Sequence, residues 1–527
     1  MNNHPKPIRT AYQAMGNSGA QLHYRIGGEG PPLIMLHPSP QDSQALIPAM
    51  QAFSQLCTCV APDTPGYGLS DDTIGKNPTM EDYANEVFAF TDSLGIERFI
   101  VYGAATGAQI AIEMGKHQPE RLALVMLDAN GHIDAPERAR IMEDYFPEVT
   151  PRRDGGHLMT YWDMCANLFL SFPWNSTDPA DRLPLPRPPV EVIQQILLRY
   201  LDAGEQYDKA YRAAFEVETI EHFAGSTAPI VMNRWEGSPV LGIADDLIAK
   251  GLPENVHVLR AGPTLPERYA VQIGALNDLL ARENLSAFEQ SRPAAPHGPR
   301  RDYAGTASSS LHLRRNDTGS GSRLVFLHSA GTSSKRWQAI LDILDGTVPY
   351  AALDLPGHGH SPALHLANAD IFASMAEEIR TVLACFSGEK LHLVGEGLGA
   401  AIAAYLQSLD SSFEVSAVKP GSLGRAAPNL TLERSGAHLV NAWQFVRDRQ
   451  LRSPWDDDSP AAQREVPGDL SPEALHAQTV ELLRSAEVFP LAWQEEAAID
   501  WDALATSETI RLLQASGNAE LAAQLLG

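Results

Sequence analysis

Short apolar runs alternate with longer helix-like segments along both halves of the 527-residue chain. In the first half these runs predict strands at positions 21–25, 33–36, 57–61, 99–102, 123–127, 230–233 and 256–259. Strands separated by helix-length segments are typical of parallel sheets, because each parallel connection must cross back over the sheet. We therefore predict an α/β fold with helices on both faces of a mostly parallel sheet.

One connection in the first half is much longer than the others. Positions 133–225 separate two predicted strands and carry many aromatic side chains, among them Trp162. A segment of this length exceeds an ordinary loop. We predict that it forms a helical cap domain.

The two halves of the chain resemble each other. The stretches "LIMLHPSP", with His37, and "LVFLHSAG", with His328, occupy corresponding places. The stretches "APDTPGYGLS" and "ALDLPGHGHS" correspond in the same way, and so do "VYGAATGAQIA" and "LVGEGLGAAIA". Ordered matches at a nearly constant spacing indicate a duplicated domain.

This repeat fixes the predicted domain organisation. The first domain spans 1–288 with its cap at 133–225, a linker rich in Pro, Arg and Ala spans 289–305, and the second domain spans 306–527 with its cap at 425–500. After "IRLLQASGNAEL" the second half shows no further strand pattern. We predict that the second copy is truncated and lacks the last strand and the loop that follows it.

The stretch "VYGAATGAQ" combines strand residues, a run of small residues and the start of a helix. This is the layout of a G-x-S-x-G strand-to-helix turn, with Ala105 in the place of the nucleophile. The stretch "GEGLG" places Gly397 there in the second half. With the "LHPSP" and "LHSAG" loops and two D-x-P-G-x-G-x-S loops, these motifs make both halves resemble the α/β-hydrolase superfamily with helical caps.

The resemblance implies a nucleophile, an acid and a histidine, in that order along the chain. Both nucleophile positions, Ala105 and Gly397, lack a reactive atom. The acid position of the first half falls on Ser238, and the histidine position on Pro263 or Thr264. We expect that neither half runs Ser-His-Asp chemistry.

The resemblance also implies an oxyanion hole in the first domain. The loop of His37, Pro38 and Ser39 would supply one backbone N–H, and Thr106 the other. Backbone donors do not depend on the nucleophile, so this pair would still bind a carbonyl or enolate oxygen. The alternative is that these loops only shape the fold, with His37 in a packing role.

Other polar residues lie at predicted strand ends, where open α/β sheets place their ligands. Asp128 and His132 form a candidate proton-transfer pair; alternatively Asp128 caps a turn and His132 lies at the surface. Arg234 and Glu236 either bind a substrate carboxylate or pair with each other. Trp162 either contacts substrate or belongs to the core of the cap.

The amino-acid composition of the chain excludes some classes of binding partner. The net charge of −25 disfavours nucleic acid, since binding to phosphates needs a basic surface. No apolar run is long enough to span a membrane, so we expect no membrane partner and a cytoplasmic location. We expect no cofactor and no metal site. The cysteines are expected to be reduced packing residues: Cys57, Cys59, Cys165 and Cys385.

These observations favour a non-hydrolytic enzyme of the lyase, isomerase or cyclase type. It would bind a hydrophobic, carbonyl-containing small molecule in the capped pocket of the first domain. Two alternatives remain open: a non-catalytic pseudo-hydrolase that acts as a small-molecule binder or scaffold, and a hydrolase with an atypical site. We expect the second domain to support the first by intramolecular pairing, and further oligomerisation stays open.

Overall fold

The computed structural model describes residues 7–16, 18–289, 298–306, 310–363, 370–420, 424, 426–514 and 517–526. The chain folds as two compact units. The first comprises Met1–Thr150 and Thr160–Ala294, and the second comprises Pro151–Met159 and Ala295–Gly527. Each unit contains its own sheet, which confirms the predicted tandem arrangement of two α/β domains.

The first domain is built on an eight-stranded sheet of order β1-β2-β4-β3-β5-β6-β7-β8. Its strands are β1 (Arg9–Ala14), β2 (Gln21–Gly27), β3 (Pro32–Leu36), β4 (Thr58–Pro62), β5 (Phe99–Ala104), β6 (Leu122–Asp128), β7 (Ile230–Trp235) and β8 (Val256–Ala261). β2 pairs antiparallel with β1 and β4, and the other pairings are parallel. All seven predicted strands are present, and β1 is an additional strand.

Helices flank this sheet and fill the long connection between β6 and β7. They are α1 (Ile47–Phe53), α2 (Met80–Ser93), α3 (Thr106–His117), α4 (Ala135–Asp144), α5 (Gly156–Asn167), α6 (Val190–Ala203), α7 (Lys209–Val217), α8 (Leu241–Ala249) and α9 (Leu265–Arg282). The insertion contains α4 to α7, so the predicted helical cap is confirmed. α9 begins at a capping box, in which Thr264 and Glu267 satisfy each other's backbone N–H groups.

The second domain is built on a seven-stranded sheet of order β15-β14-β13-β11-β12-β10-β9. Its strands are β9 (Arg300–Gly305), β10 (Ser310–Asn316), β11 (Arg323–Leu327), β12 (Tyr350–Leu353), β13 (Leu391–Glu396), β14 (Glu414–Val418) and β15 (Ile510–Leu513). The order repeats that of the first sheet from its first strand to its seventh. Within the described residues no strand of the second sheet corresponds to β8.

Part of the predicted linker at 289–305 is not a linker. Residues 290–297 lie outside the described part of the chain, but Arg300–Gly305 forms β9, which pairs antiparallel with β10. β9 is an edge strand, with one neighbour in the sheet. An edge strand tolerates polar side chains, so this segment lacks the apolar run that marks the inner strands.

The helices of the second domain are α10 (Gln338–Leu344), α11 (Ile371–Leu383), α12 (Leu398–Leu409), α13 (Ala437–Leu451), α14 (Pro472–Arg484), α15 (Phe489–Ala497), α16 (Trp501–Ala505) and α17 (Asn518–Leu526). α13 to α16 lie between β14 and β15 and form the second cap. The two domains place their last helix alike. In the first, Leu276 of α9 packs in one core cluster with Phe53 of α1. In the second, Leu521 of α17 packs with Leu344 of α10.

All four cysteines are free, and Cys57, Cys59 and Cys165 are buried, whereas Cys385 is exposed. The burial of the first three agrees with the predicted packing role, whereas the exposure of Cys385 contradicts it. In the described parts of the chain, no helix combines the length and apolar character needed to cross a bilayer.

Candidate functional site

The predicted strand-to-helix turn lies at the carboxyl end of β5. Ala105 separates β5 from α3 and has φ +50° and ψ −114°. This is a conformation that costs a non-glycine residue free energy, because Cβ crowds the backbone. Gly107 keeps the turn tight, since a side chain there would collide with the carbonyl of Leu36. The turn therefore has the strained geometry of a nucleophile elbow, with a methyl group at its apex.

A second strained residue lies beside the first. Ala129 follows β6 and has φ +50°. The backbone N–H of Ala105 donates to the carbonyl of Asp128 at 3.0 Å, so the two turns are hydrogen-bonded neighbours. Among the residues that the structure describes, Ala105 and Ala129 are the only non-glycine residues with positive φ. Backbone strain of this kind clusters at functional sites, so this edge of the sheet is the candidate site.

The loop after β3 lies against the elbow. The backbone N–H of Ser39 donates to Oγ1 of Thr106 at 3.3 Å. Thr106 is the first residue of α3, where a helix has no internal acceptor for its N–H groups. The two predicted oxyanion-hole residues are therefore adjacent, and the hydroxyl of Thr106 accepts the backbone N–H of Ser39.

His37 holds this loop in place through both ring nitrogens. Nε2 accepts from the N–H of Thr64 at 2.8 Å, and Nδ1 lies 3.0 Å from the carbonyl oxygen of Pro38. Burial lowers the pKa of His37, so the ring is neutral and one nitrogen is free to accept. Both nitrogens bond to backbone, which is the packing role that the sequence allowed.

The carboxylate of Asp128 is buried and engaged by three side chains. It accepts from the hydroxyl of Tyr102 at 3.0 Å, from Nε of Arg268 at 2.9 Å and from Nε2 of Gln272 at 2.9 Å. The guanidinium of Arg268 also stacks 4.6 Å from the ring centroid of Trp235. The three partners come from β5 and α9, so the carboxylate ties this sheet edge to the last helix of the domain.

His132 has a different neighbour. Its Nδ1 accepts from the N–H of Ile220 at 3.2 Å, where the chain returns from the cap. Across the described residues, no hydrogen bond or ion pair joins His132 to Asp128. The structure therefore does not pair these side chains, and their catalytic role stays a prediction.

Arg234 pairs chiefly with a residue that the sequence analysis did not name. Its Nε and terminal nitrogen lie 2.6 and 2.9 Å from the two carboxylate oxygens of Asp245 on α8. Glu236 lies farther away, with its carboxylate 3.8 Å from the guanidinium.

Trp162 is buried in α5. Ser238, at the predicted acid position, accepts from the N–H of Val240 at 3.3 Å.

Sequence analysis missed Glu218, which follows α7 at the end of the cap. Its side chain is 8% exposed, and its carboxyl accepts the N–H of Gly131 in the loop after β6. Burial raises the pKa of Glu218 to about 8 and outweighs this hydrogen bond. Glu218 is therefore a neutral acid at pH 7. No motif marks it, because its burial depends on how the cap folds back onto the sheet.

Asn130 was also missed and lies one residue before Gly131. It is 2% exposed, and neither its amide nitrogen nor its amide oxygen has a hydrogen-bond partner in the described chain. An unpaired buried amide is costly unless a ligand or water satisfies it. The loop after β6 begins beside Ala105. It carries the strained turn at Ala129 and the unpaired amide of Asn130, and the acid Glu218 lies against it.

No group of three or more His, Cys, Asp or Glu side chains in the described residues has the arrangement of a metal site.

The model of the Alpha/beta hydrolase family matches residues 33–294 and 324–522. Haloalkane dehalogenase 2 of Mycobacterium bovis is 30% identical over 111 residues, which is 21% of this chain and 39% of the relative. The cis-3-alkyl-4-alkyloxetan-2-one decarboxylase of Shewanella oneidensis is 28% identical over 126 residues, or 23% of this chain and 40% of the relative. The chain thus spans about two fifths of the length of these curated relatives.

Solved structures cover about one of the two domains. The crystal structure of epoxide hydrolase A from Mycobacterium thermoresistibile aligns with a TM-score of 0.38 and 19% identity, over 53% of this chain and 100% of that chain.

Proposed function

Because this chain belongs to the alpha/beta hydrolase family, we propose that its first domain acts on a small hydrophobic carbonyl compound by proton transfer, without a covalent intermediate. The observation that carries this proposal is Ala105 at the apex of a retained elbow. A methyl group cannot attack a carbonyl, yet the turn keeps a backbone conformation that costs free energy of folding. A site that retains such strain without the nucleophile is better suited to binding and polarising a substrate oxygen.

The oxygen of the substrate would lie between the amides of Ser39 and Thr106. At 3.3 Å the bond from the Ser39 N–H to Thr106 Oγ1 is long for an N–H···O bond. A carbonyl oxygen that gains negative charge is a stronger acceptor than a neutral hydroxyl. The substrate would therefore displace the threonine hydroxyl, and the two amides would stabilise an enolate.

Glu218 would supply the proton. A neutral carboxyl with a pKa of about 8 holds its proton at pH 7 and is matched to donating it near that pH. After donation the carboxylate would recover a proton from the substrate, so that no net proton is consumed. This sequence is an isomerisation or an elimination, and the buried amide of Asn130 would orient the second polar group of the substrate.

The decarboxylase among the relatives supports a reaction other than hydrolysis. Its name describes an oxetan-2-one, which is a cyclic ester with a carbonyl group. A second candidate function, a binder without turnover, is supported by the internal contact between Ser39 and Thr106, which satisfies one amide without a ligand.

Exchange of hydrogens next to a carbonyl in D₂O separates these candidates. The purified chain would be incubated with a panel of hydrophobic, enolisable ketones and followed by proton NMR. We expect exchange for the wild type, loss of exchange for Glu218→Gln, and no change for the control Glu216→Gln, since Glu216 lies two residues earlier and is exposed. Binding of a ketone without exchange would identify a binder. Exchange that survives Glu218→Gln would overturn the role of this acid.

A further inference from the structure

The elbow of the second domain has the same backbone as that of the first. Gly397, between β13 and α12, has φ +55° and ψ −123°. The loop after β11 brings Ser329 and Ala330 to this turn, as the corresponding loop brings Ser39 in the first domain. The two domains differ in the group that occupies the space at the elbow.

The carboxyl group of Glu496 occupies the second oxyanion hole. Glu496 lies in the last turn of the cap helix α15 and is 1% exposed. One of its oxygens, Oε2, accepts the N–H of Ala330 at 2.7 Å and the N–H of Leu398 at 3.0 Å. These amides correspond to those of Ser39 and Thr106. Two convergent N–H groups at a helix start are a binding site for a carboxylate oxygen.

The other carboxyl oxygen takes the place of an elbow side chain. A Cβ atom built on Gly397 would lie 2.5 Å from Oε1 of Glu496 and 2.5 Å from Oγ of Ser329. Glycine is therefore required at the elbow while Glu496 is bound there. The hydroxyl of Ser329, 5% exposed, points to the same position and has no partner among the described residues.

Charged groups around Glu496 have opposite effects on its pKa: some raise it and others lower it. Burial raises the pKa of Glu496 to about 7, although the two amides and the guanidinium of Arg449 favour the carboxylate. Glu396, on β13, acts in the same direction as burial and is itself paired with Arg336 at 3.1 Å. The hydrogen bonds hold the carboxyl in place against this desolvation.

We propose that the second domain retains a binding site for small carboxylic acids, and that Glu496 of its own cap fills that site as an internal ligand. One oxygen lies where a substrate oxygen would bind, and the other lies where a nucleophile would stand. The second domain is closed by this contact. Removing the glutamate side chain would open the site to a carboxylate from solution. This inference is independent of the function proposed for the first domain.

Acetate tests the proposal in the full-length chain. Thermal unfolding of Glu496→Ala would be measured in sodium acetate and in sodium chloride at equal ionic strength. We expect the variant to unfold at a lower temperature than the wild type, and acetate to raise that temperature with saturation, as specific binding requires. Wild type and the control Glu495→Ala, at an exposed neighbour, should show no acetate-specific shift. A folded Glu496→Ala chain that responds equally to both salts would overturn the proposal.

A second variant decides the matter if Glu496→Ala does not fold. Gly397→Ala keeps the glutamate but adds a methyl group where its carboxyl lies. We expect faster hydrogen exchange, by mass spectrometry, in the peptides that contain Ala330 and Leu398. The control is Gly388→Ala, where φ is +93° and an added Cβ meets nothing within 4 Å. Exchange in Gly397→Ala that equals wild-type exchange at both peptides would overturn the internal-ligand assignment.

Discussion

The buried acid of the first domain makes stability depend on pH in a predictable direction. Glu218 has an ordinary pKa of 4.5 when exposed and a pKa of about 8 in the fold. The fold therefore binds this proton more tightly than the unfolded chain does. Its contribution to stability is fully present below pH 4.5 and is lost as the pH rises through 8.

The magnitude follows from the shift. One pKa unit corresponds to about 1.4 kcal/mol, so the full loss between the two limits is about 5 kcal/mol. Between pH 5.5 and 7.5 the expected loss is about 2.5 kcal/mol. Glu218→Gln removes the titrating group, so its free energy of unfolding should lack this component. The wild type should therefore lose about 2.5 kcal/mol relative to the variant over that interval.

Urea unfolding at several pH values measures this difference. Near-ultraviolet circular dichroism includes a contribution from the cap, because Tyr211 and Phe215 stack on each other in α7. Glu216→Gln serves as the control and should follow the wild type at every pH. If Glu218→Gln and the wild type lose stability in parallel, the acid does not hold its proton in the fold, and the argument for proton donation fails with it.

Three further substitutions test other parts of the first domain. Ala105→Gly removes the strain at φ +50° and should stabilise the domain by about 1 kcal/mol in urea unfolding; an unchanged midpoint would argue against the strained turn. Asp128→Asn leaves the largely buried guanidinium of Arg268, 17% exposed, without its counter-charge and should cost about 3 kcal/mol, whereas a neutral effect would contradict the pairing. Ala105→Ser should give no hydrolysis of activated aryl esters, since the sequence predicts Ser238 at the acid position and Pro263 or Thr264 at the histidine position; a robust gain would reveal a hidden base.

The sequence predicted the inner strands of the first domain because buried parallel strands are continuous apolar runs. It missed β1 and β9, whose edge positions remove the need for such runs. The strained turn was predictable from the small residues around Ala105, since few sequences meet its steric demands. Fold class and duplication were therefore accessible without the structure.

The contacts of the buried polar side chains could not be predicted from the sequence in the same way. Asp128 ends a strand that is buried on both faces, so the sequence of the strand does not show which helix the carboxylate contacts. Its partner Arg268 comes from a helix 140 residues later in the chain. Glu218 and Glu496 lie in cap segments beside other acids that are exposed, and only the packing of the caps buries these two. Sequence patterns report local periodicity, whereas these contacts depend on tertiary structure.

The seven-stranded sheet has a consequence for self-association. Where the first sheet continues to β8, the second ends at β15, which has one neighbour in the sheet. An edge strand leaves a row of N–H and C=O groups to which another chain could pair. β15 is only 4 residues long and exposes Arg511 in its middle. A short edge with a charged side chain is a poor template for strand addition, so this edge of the sheet resists edge-to-edge aggregation.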